Sequence, residues 1–186
     1  MKKMLMLLIA ACLLALPAMA TQKVGSVDLP LRITVDGEDL ALNGAGIRKR
    51  AFMNLYVGAL YVQQKNNNAG AIIQADAPMA IRLHITSGMI TRERMLDAIN
   101  EGFTAATGGK TDSIKSQIDA LNACFHDEIK EGDTIELAYA PATGVTMRKN
   151  GESRGNIEGL DFKKALFAIW LGDKPADSGL KKAMLN

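Results

Sequence analysis

The sequence predicts an α+β fold in which helices pack on one face of a large antiparallel sheet, within a single domain. Three observations predict it. Residues 31–42, 81–85 and 135–147 alternate apolar and polar side chains, the two-residue period of half-buried strands. Between the second and third of these runs, two apolar stripes recur at spacings of three and four, the period of amphipathic helices. Asp36-Gly37 and Asn150-Gly151 are the dipeptides that tight hairpin turns favour, because both central residues take positive φ there.

The elements follow in order. Met1-Lys2-Lys3 is a basic start, Met4 to Leu16 is almost purely apolar, and Ala18-Met19-Ala20 has the small-x-small pattern of a signal-peptidase site, so residues 1–20 are expected to be an export signal cleaved after Ala20. The apolar run is shorter than the roughly 20 residues of a spanning helix, and no later stretch is long and apolar enough. Ile9-Ala10-Ala11-Cys12 also matches the loose lipoprotein pattern, but the apolar run continues past Cys12 through Leu16, which favours cleavage at Ala20 and a periplasmic or secreted protein. Residues 21–186 then form the domain. Leu31, Ile33 and Val35 lead into Asp36-Gly37, and Leu40 and Leu42 return, an opening hairpin. Phe52 to Val62 is apolar on both faces, as a central strand covered on two sides would be, and Asn66-Asn67-Asn68 breaks it. Ile81, Leu83 and Ile85 form a half-buried strand from which His84 points the other way. Thr91 is placed to cap a helix carrying Leu96, Ile99, Phe103 and Ala106; after Gly108-Gly109 a second helix carries Ile114, Ile118, Leu121 and Phe125. Ile135 to Tyr139, a turn at Pro141–Gly144, Val145 and Met147, and Asn150-Gly151 read as a meander. Asp161 to Leu171, with Asp161 as an acidic N-cap, is apolar nearly all round and is predicted to be buried; Gly172 and Pro175 stop it, and a short amphipathic helix from Asp177 or Ser178 carries Leu180 and Met184.

Loss of the leader removes Lys2 and Lys3, so the formal charge falls from +2 to zero, which gives no electrostatic argument for nucleic acid or for an anionic membrane surface. Roughly 165 residues suit one domain with a sizeable core. Cys12 leaves as well, and Cys124, in an apolar helical run, is expected to be buried and inert rather than a catalytic thiol. His84 and His126 lie on separate elements without a triad partner or spaced metal ligands, so no metal, cofactor or catalytic triad is assigned.

Two blocks carry a resemblance. Leu42-Asn43-Gly44-Ala45-Gly46-Ile47-Arg48-Lys49-Arg50, running through Phe52 and Leu55 to Val62, and Ile157-Glu158-Gly159-Leu160-Asp161-Phe162 through Leu166 to Pro175 with the Leu180-Lys181-Lys182 tail, resemble the bacterial chalcone-isomerase-like family. The blocks stand at either end of the domain, and the order of elements between them agrees with that family. The resemblance implies an open-faced β-sandwich with helices over one face of the sheet and an apolar cleft between them. It also implies a site. Gly46-Ile47-Arg48 matches the motif whose arginine, in plant chalcone isomerases, holds an anionic oxygen of the substrate. Tyr56 stands where that family's catalytic strand carries a threonine, and Ser87 to Arg94 contains no counterpart of the second catalytic residue, a tyrosine. A cyclisation needs its hydrogen-bonding set complete on the reacting oxygen, so no catalytic residue is assigned.

What the resemblance leaves is the superfamily's fatty-acid-binding branch, where an arginine and a tyrosine hold a carboxylate at the end of an apolar tunnel. On that reading Arg48 faces the carboxylate, Tyr56 donates its hydroxyl, and Phe52, Leu60, Leu83 and Trp170 are candidates for the apolar wall. The plain alternatives are an Arg48 paired with a carboxylate at a strand end, a Tyr56 whose hydroxyl is satisfied in the core, a solvated basic turn at Lys49 and Arg50, and core packing for Tyr61 and Trp170. Three functions follow. One is an exported carrier of a small apolar ligand such as a fatty acid. The second is an isomerase or lyase with Arg48 as electrophile and Tyr56 as general acid, and the third is an interaction module whose pocket has collapsed.

Overall fold

The computed structural model describes residues 20–186. The expected export signal and Cys12 lie outside the described residues. Strands β1 (Thr21–Val24) and β2 (Val27–Pro30) pair as a separate two-stranded hairpin. Seven further strands, β3 (Arg32–Val35), β4 (Glu38–Arg50), β5 (Met53–Val62), β6 (Met79–Ile85), β7 (Thr134–Ala140), β8 (Gly144–Lys149) and β9 (Glu152–Ile157), form one sheet in sequence order. Every neighbouring pair is antiparallel. The helices are inserted at two of its connections and at its end: α1 (Ala69–Gln74) between β5 and β6, α2 (Arg92–Thr107) and α3 (Lys115–Cys124) between β6 and β7, and α4 (Leu160–Leu171) and α5 (Ser178–Met184) after β9. None of the described helices is long and apolar enough to cross a membrane.

The turn chemistry follows the sequence. Asp36 and Gly37 have φ of 52° and 84°, and Asn150 and Gly151 of 53° and 85°, the doubly left-handed geometry that matches strand twist. Thr91 caps α2, its side chain accepting from the Arg94 N–H, and Gly108 closes the helix in the left-handed conformation. Three details differ from the sequence reading, and a fourth, at the asparagine run after β5, extends it. Phe52 lies in the β4–β5 turn and not in the strand. Asp161 sits in the first turn of α4, while the cap is Gly159, at φ 117°, with no side-chain cap bond. The breaker Asn66-Asn67-Asn68 ends as the N-cap of α1, Asn68 Oδ1 accepting from Ala71 N at 3.0 Å. The buried stripe of α2 runs through Met95, Ile99 and Phe103, leaving Leu96 half-buried.

Two apolar layers sandwich the sheet. The larger joins Leu60, Leu83, Phe103, Leu121, Phe162 and Trp170 under the helices. The smaller joins Leu29, Leu40, Tyr61, Ala80 and Ala138 beneath the β1–β2 hairpin, which Tyr61 ties down by donating to the Pro30 carbonyl at 3.0 Å. Beyond that hairpin the face is polar: Glu136 is held between Arg82, at 2.5 Å, and Arg148, at 3.1 Å. This is the open-faced sandwich.

The glycine-rich block of β4 is explained by α5. A bulge at Asn43 shifts the pairing with β5, from Leu42↔Tyr61 to Gly44↔Leu60, and so exchanges the faces of the strand. Leu40 and Leu42 join the smaller layer, whereas Gly44, Gly46 and Arg48 face the helices. A Cβ at Gly44 would lie 2.3 Å from the Ala183 carbonyl oxygen, and one at Gly46 would lie 2.5 Å from the Ala183 Cβ. Asn43 itself is buried and pins the junction, donating to Met184 O at 2.7 Å and Asn66 O at 3.0 Å and accepting from Asn66 N at 2.8 Å.

Candidate functional site

Beyond the N-terminal start of α5 the same row of β4 carries Arg48, directly opposite Tyr56 on β5. The next pair is Lys49↔Asn54, which leaves Leu55 as the extra residue of a second bulge and turns both Leu55 and Tyr56 toward the helices. Tyr56 is fully buried, and its oxygen accepts twice: from Trp170 Nε1 on α4 at 2.9 Å and from Arg48 Nη1 at 3.3 Å. The Arg48 guanidinium also lies over the Tyr56 ring, 5.5 Å from its centroid. Burial pushes the Tyr56 hydroxyl above its usual range, more than the nearby Arg48 cation and the Trp170 and Arg48 bonds pull it down. Tyr56 is therefore a neutral phenol at ordinary pH. Its own proton has no acceptor among the described residues.

Arg48 opens onto a cleft of about 560 Å³ between the β4–β5 turn and α2. Its apolar wall is Met53, Leu55, Met89, Ile90 and Ala98, and its charged lining adds Arg50, Arg94, Asp97 and Glu101. Arg94 is oriented by a bond to the Met89 carbonyl at 2.9 Å. No described carboxylate is ion-paired with Arg48.

The residues singled out from the sequence separate here. Arg48, Tyr56 and Trp170 come together in one hydrogen-bonded chain, of which only Arg48 lines the cleft, with Tyr56 buried behind it and Trp170 behind the tyrosine. Leu60 and Leu83 are completely buried in the packed layer under the helices and do not line the cleft. Phe52 corrects the sequence reading: it is fully exposed at the tip of the β4–β5 turn and is no part of a wall. It belongs to the turn because Ala51, at φ 53°, reverses the chain before the strand begins. His84 is half-buried, its Nδ1 3.0 Å from Thr134 Oγ1, and burial together with the Arg82 cation lowers its pKa, so it stays neutral. His126 is on the surface beside Arg154. Cys124 is a free, buried thiol whose pKa burial raises, an inert group. Among the described residues no cluster of His, Cys, Asp or Glu could hold a metal ion.

The model of the family described as "Chalcone isomerase-like" matches residues 21–186, the whole of the described domain. The chain belongs to the chalcone isomerase-like family. No curated protein matches it by sequence. Among solved structures it is similar to a fatty-acid binding protein of Arabidopsis thaliana, AtFAP1, with a TM-score of 0.68 at 18% identity over 86% of this chain and 92% of that one. That likeness is one of fold, and it agrees with the antiparallel sheet and helical layer seen here.

In this chalcone isomerase-like chain the arginine motif has two roles that its sequence does not separate. Gly46 makes room for α5, and Arg48, two residues on, reaches the cleft. Sequence reasoning missed the cleft's apolar wall and Arg94. The segment Ser87–Arg94 attracted notice for a tyrosine it lacks, while Met89, Ile90 and Arg94 within it supply wall and charge. No pattern in the sequence marked them, because the exposure of Met89 and its place beside the β4–β5 turn appear only in the fold.

Proposed function

We propose that the protein is a non-catalytic binder of a small apolar acid, such as a fatty acid, whose carboxylate sits at Arg48 and Tyr56. The observation that carries this reading is the Tyr56 hydroxyl, which accepts from Trp170 and Arg48 and has a proton left to donate. A buried donor without an acceptor costs about 1–3 kcal/mol, so the geometry favours an incoming oxygen that accepts from Tyr56 while its charge meets Arg48, which has no ion pair among the described residues. A carboxylate does both. The apolar wall at Met53, Leu55, Met89 and Ile90 would take the start of the chain. The fatty-acid binding activity named for AtFAP1 supports the same ligand class. A fully buried tyrosine of raised pKa suits holding an anion better than exchanging a proton with a substrate, and the cleft beside Arg48 argues against a collapsed pocket.

Export belongs to the same proposal, because the basic, apolar and small-x-small segments of residues 1–20 have the order of an export signal. Native mass spectrometry of the protein, expressed with its full N-terminus, tests both. A chain beginning at Thr21 and carrying one apolar acid is expected, with the acid lost in Arg48→Ala. Equal retention by the Arg48→Ala protein would sink the binding reading, and an uncleaved leader would sink export.

A further inference from the structure

We propose that the mouth of the Arg48 cleft docks on an anionic lipid bilayer, with the β4–β5 turn entering the headgroup region. Four large apolar side chains are exposed among the described residues, Leu31, Phe52, Met53 and Met89, and three of them gather at this mouth. Phe52 stands fully exposed at the tip, while Met53 and Met89 line the cleft behind it. Cations accompany them. Arg48, Lys49 and Arg50 run into the turn, Arg94 faces it across the cleft, and none of the four is ion-paired with a described carboxylate. Two acids share the cleft lining, Asp97 and Glu101 on α2, which leaves the four cations in excess, and Asp177 is engaged by the Lys49 N–H and the start of α5.

The shape selects the partner. A protein–protein interface buries on the order of 800 Å² per side around packed apolar anchors, whereas here one aromatic projects from a narrow hairpin with cations on its flank. An aromatic that reaches the acyl boundary and a Lys/Arg belt that meets phosphate oxygens are the two contacts of an interfacial anchor. Zero net charge over residues 21–186 averages this cluster away, so the composition argument against an anionic surface does not apply locally.

Docking also has a use, which rests on the ligand reading above. Each methylene of an apolar acid that crosses water costs about a fourfold fall in partition, so a carrier loads far faster if its cleft opens where the ligand already is. The cleft wall begins at Met53, the residue after Phe52. A tip seated in the headgroups brings Arg48 to the depth of the carboxylates.

The test is flotation with vesicles of phosphatidylcholine alone and of phosphatidylcholine mixed with phosphatidylglycerol. Partition should be at least about tenfold stronger onto the anionic vesicles and fall in high salt, as exposed charges require. Phe52→Ser and Arg50→Glu should each weaken it about tenfold with unchanged circular dichroism, since both side chains are exposed. No preference for anionic vesicles, or equal partition of wild type and Phe52→Ser, overturns the proposal. Fatty-acid titration without vesicles separates the two readings. Phe52→Ser should bind the acid as wild type does, and docking that persists when wild type binds no acid would count against the ligand reading alone.

Discussion

At the scale of residues, the site depends on one oxygen. Tyr56 Oη is the common acceptor for the Trp170 indole and the Arg48 guanidinium, so deleting it leaves two donors unmatched while barely changing volume. Tyr56→Phe is expected to destabilise the protein by about 1–3 kcal/mol in denaturant unfolding, because the buried Trp170 Nε1–H loses its partner. The same variant should weaken retention of an apolar acid. A stability unchanged within error would mean that water replaces the phenol, and that Tyr56 does not organise the site. Glu136 offers a contrast: its buried carboxylate is matched by two arginine partners within the protein, one on each oxygen.

Among elements, the short helix α5 decides where the cleft can be. It lies along β4 because Gly44, Gly46 and Gly58 present no side chains there, and it stops short of Arg48 because its cap, Asp177, binds the Leu180 and Lys49 N–H groups. Gly44→Ala would place a methyl group 2.3 Å from a backbone oxygen that cannot step aside. That contact should lift α5 from the sheet, at a cost of about 1–3 kcal/mol or more. Limited proteolysis is expected to cut near residues 173–177 in the variant and not in the wild type. An unchanged cleavage pattern and melting temperature would show that α5 is not fixed by this close approach. The β4–β5 hairpin behaves differently, since its strands are pinned by the sheet but its tip at Ala51 and Phe52 touches nothing that holds it.

For the whole molecule, one buried cation ties stability to pH. Lys163 on α4 is completely buried, and its ammonium donates to the carbonyls of Ile72, Ile73 and Ala75, the unpaired C-terminal end of α1. It also faces the Tyr139 and Phe167 rings. Asp76, which accepts from Tyr139 at 2.5 Å, favours its charge and Lys164 opposes it, but burial dominates and holds its pKa at about 8, below the ordinary 10.5. The unfolded chain therefore binds more protons than the folded one as pH rises from about 8 toward 10.5, and stability rises across that window, by up to about 3 kcal/mol. Tyr61 and Tyr139, both raised to about 12, act in the opposite sense above pH 10, where the unfolded tyrosines ionise first. Denaturation midpoints measured from pH 7 to 11 should thus pass through a maximum near pH 10, and Lys163→Met should flatten the rising limb. A wild-type profile that is flat between pH 8 and 10 would rule out a depressed Lys163. Lys163 was not legible because a lysine within an apolar run reads as a snorkelling surface residue; only the placement of α1 against α4 supplies the three carbonyls that make its burial tolerable. The sequence by itself determined the antiparallel α+β class, the Asp36-Gly37 and Asn150-Gly151 turns and the cap at Thr91, because each rests on a period or a local backbone requirement that neighbours in the chain impose, while Arg48 was reached through the resemblance of Gly46-Ile47-Arg48 to the family's motif. The tertiary structure alone decided that Phe52 leaves the strand, that Leu60 and Leu83 are core, and that Met89, Ile90 and Arg94 complete the cleft. The packing of the helices over the sheet and the approach of α2 to the β4–β5 turn set the core and the cleft, contacts between residues far apart in sequence that no local pattern encodes, and the bulged hairpin with Ala51 at positive φ carries Phe52 into the turn.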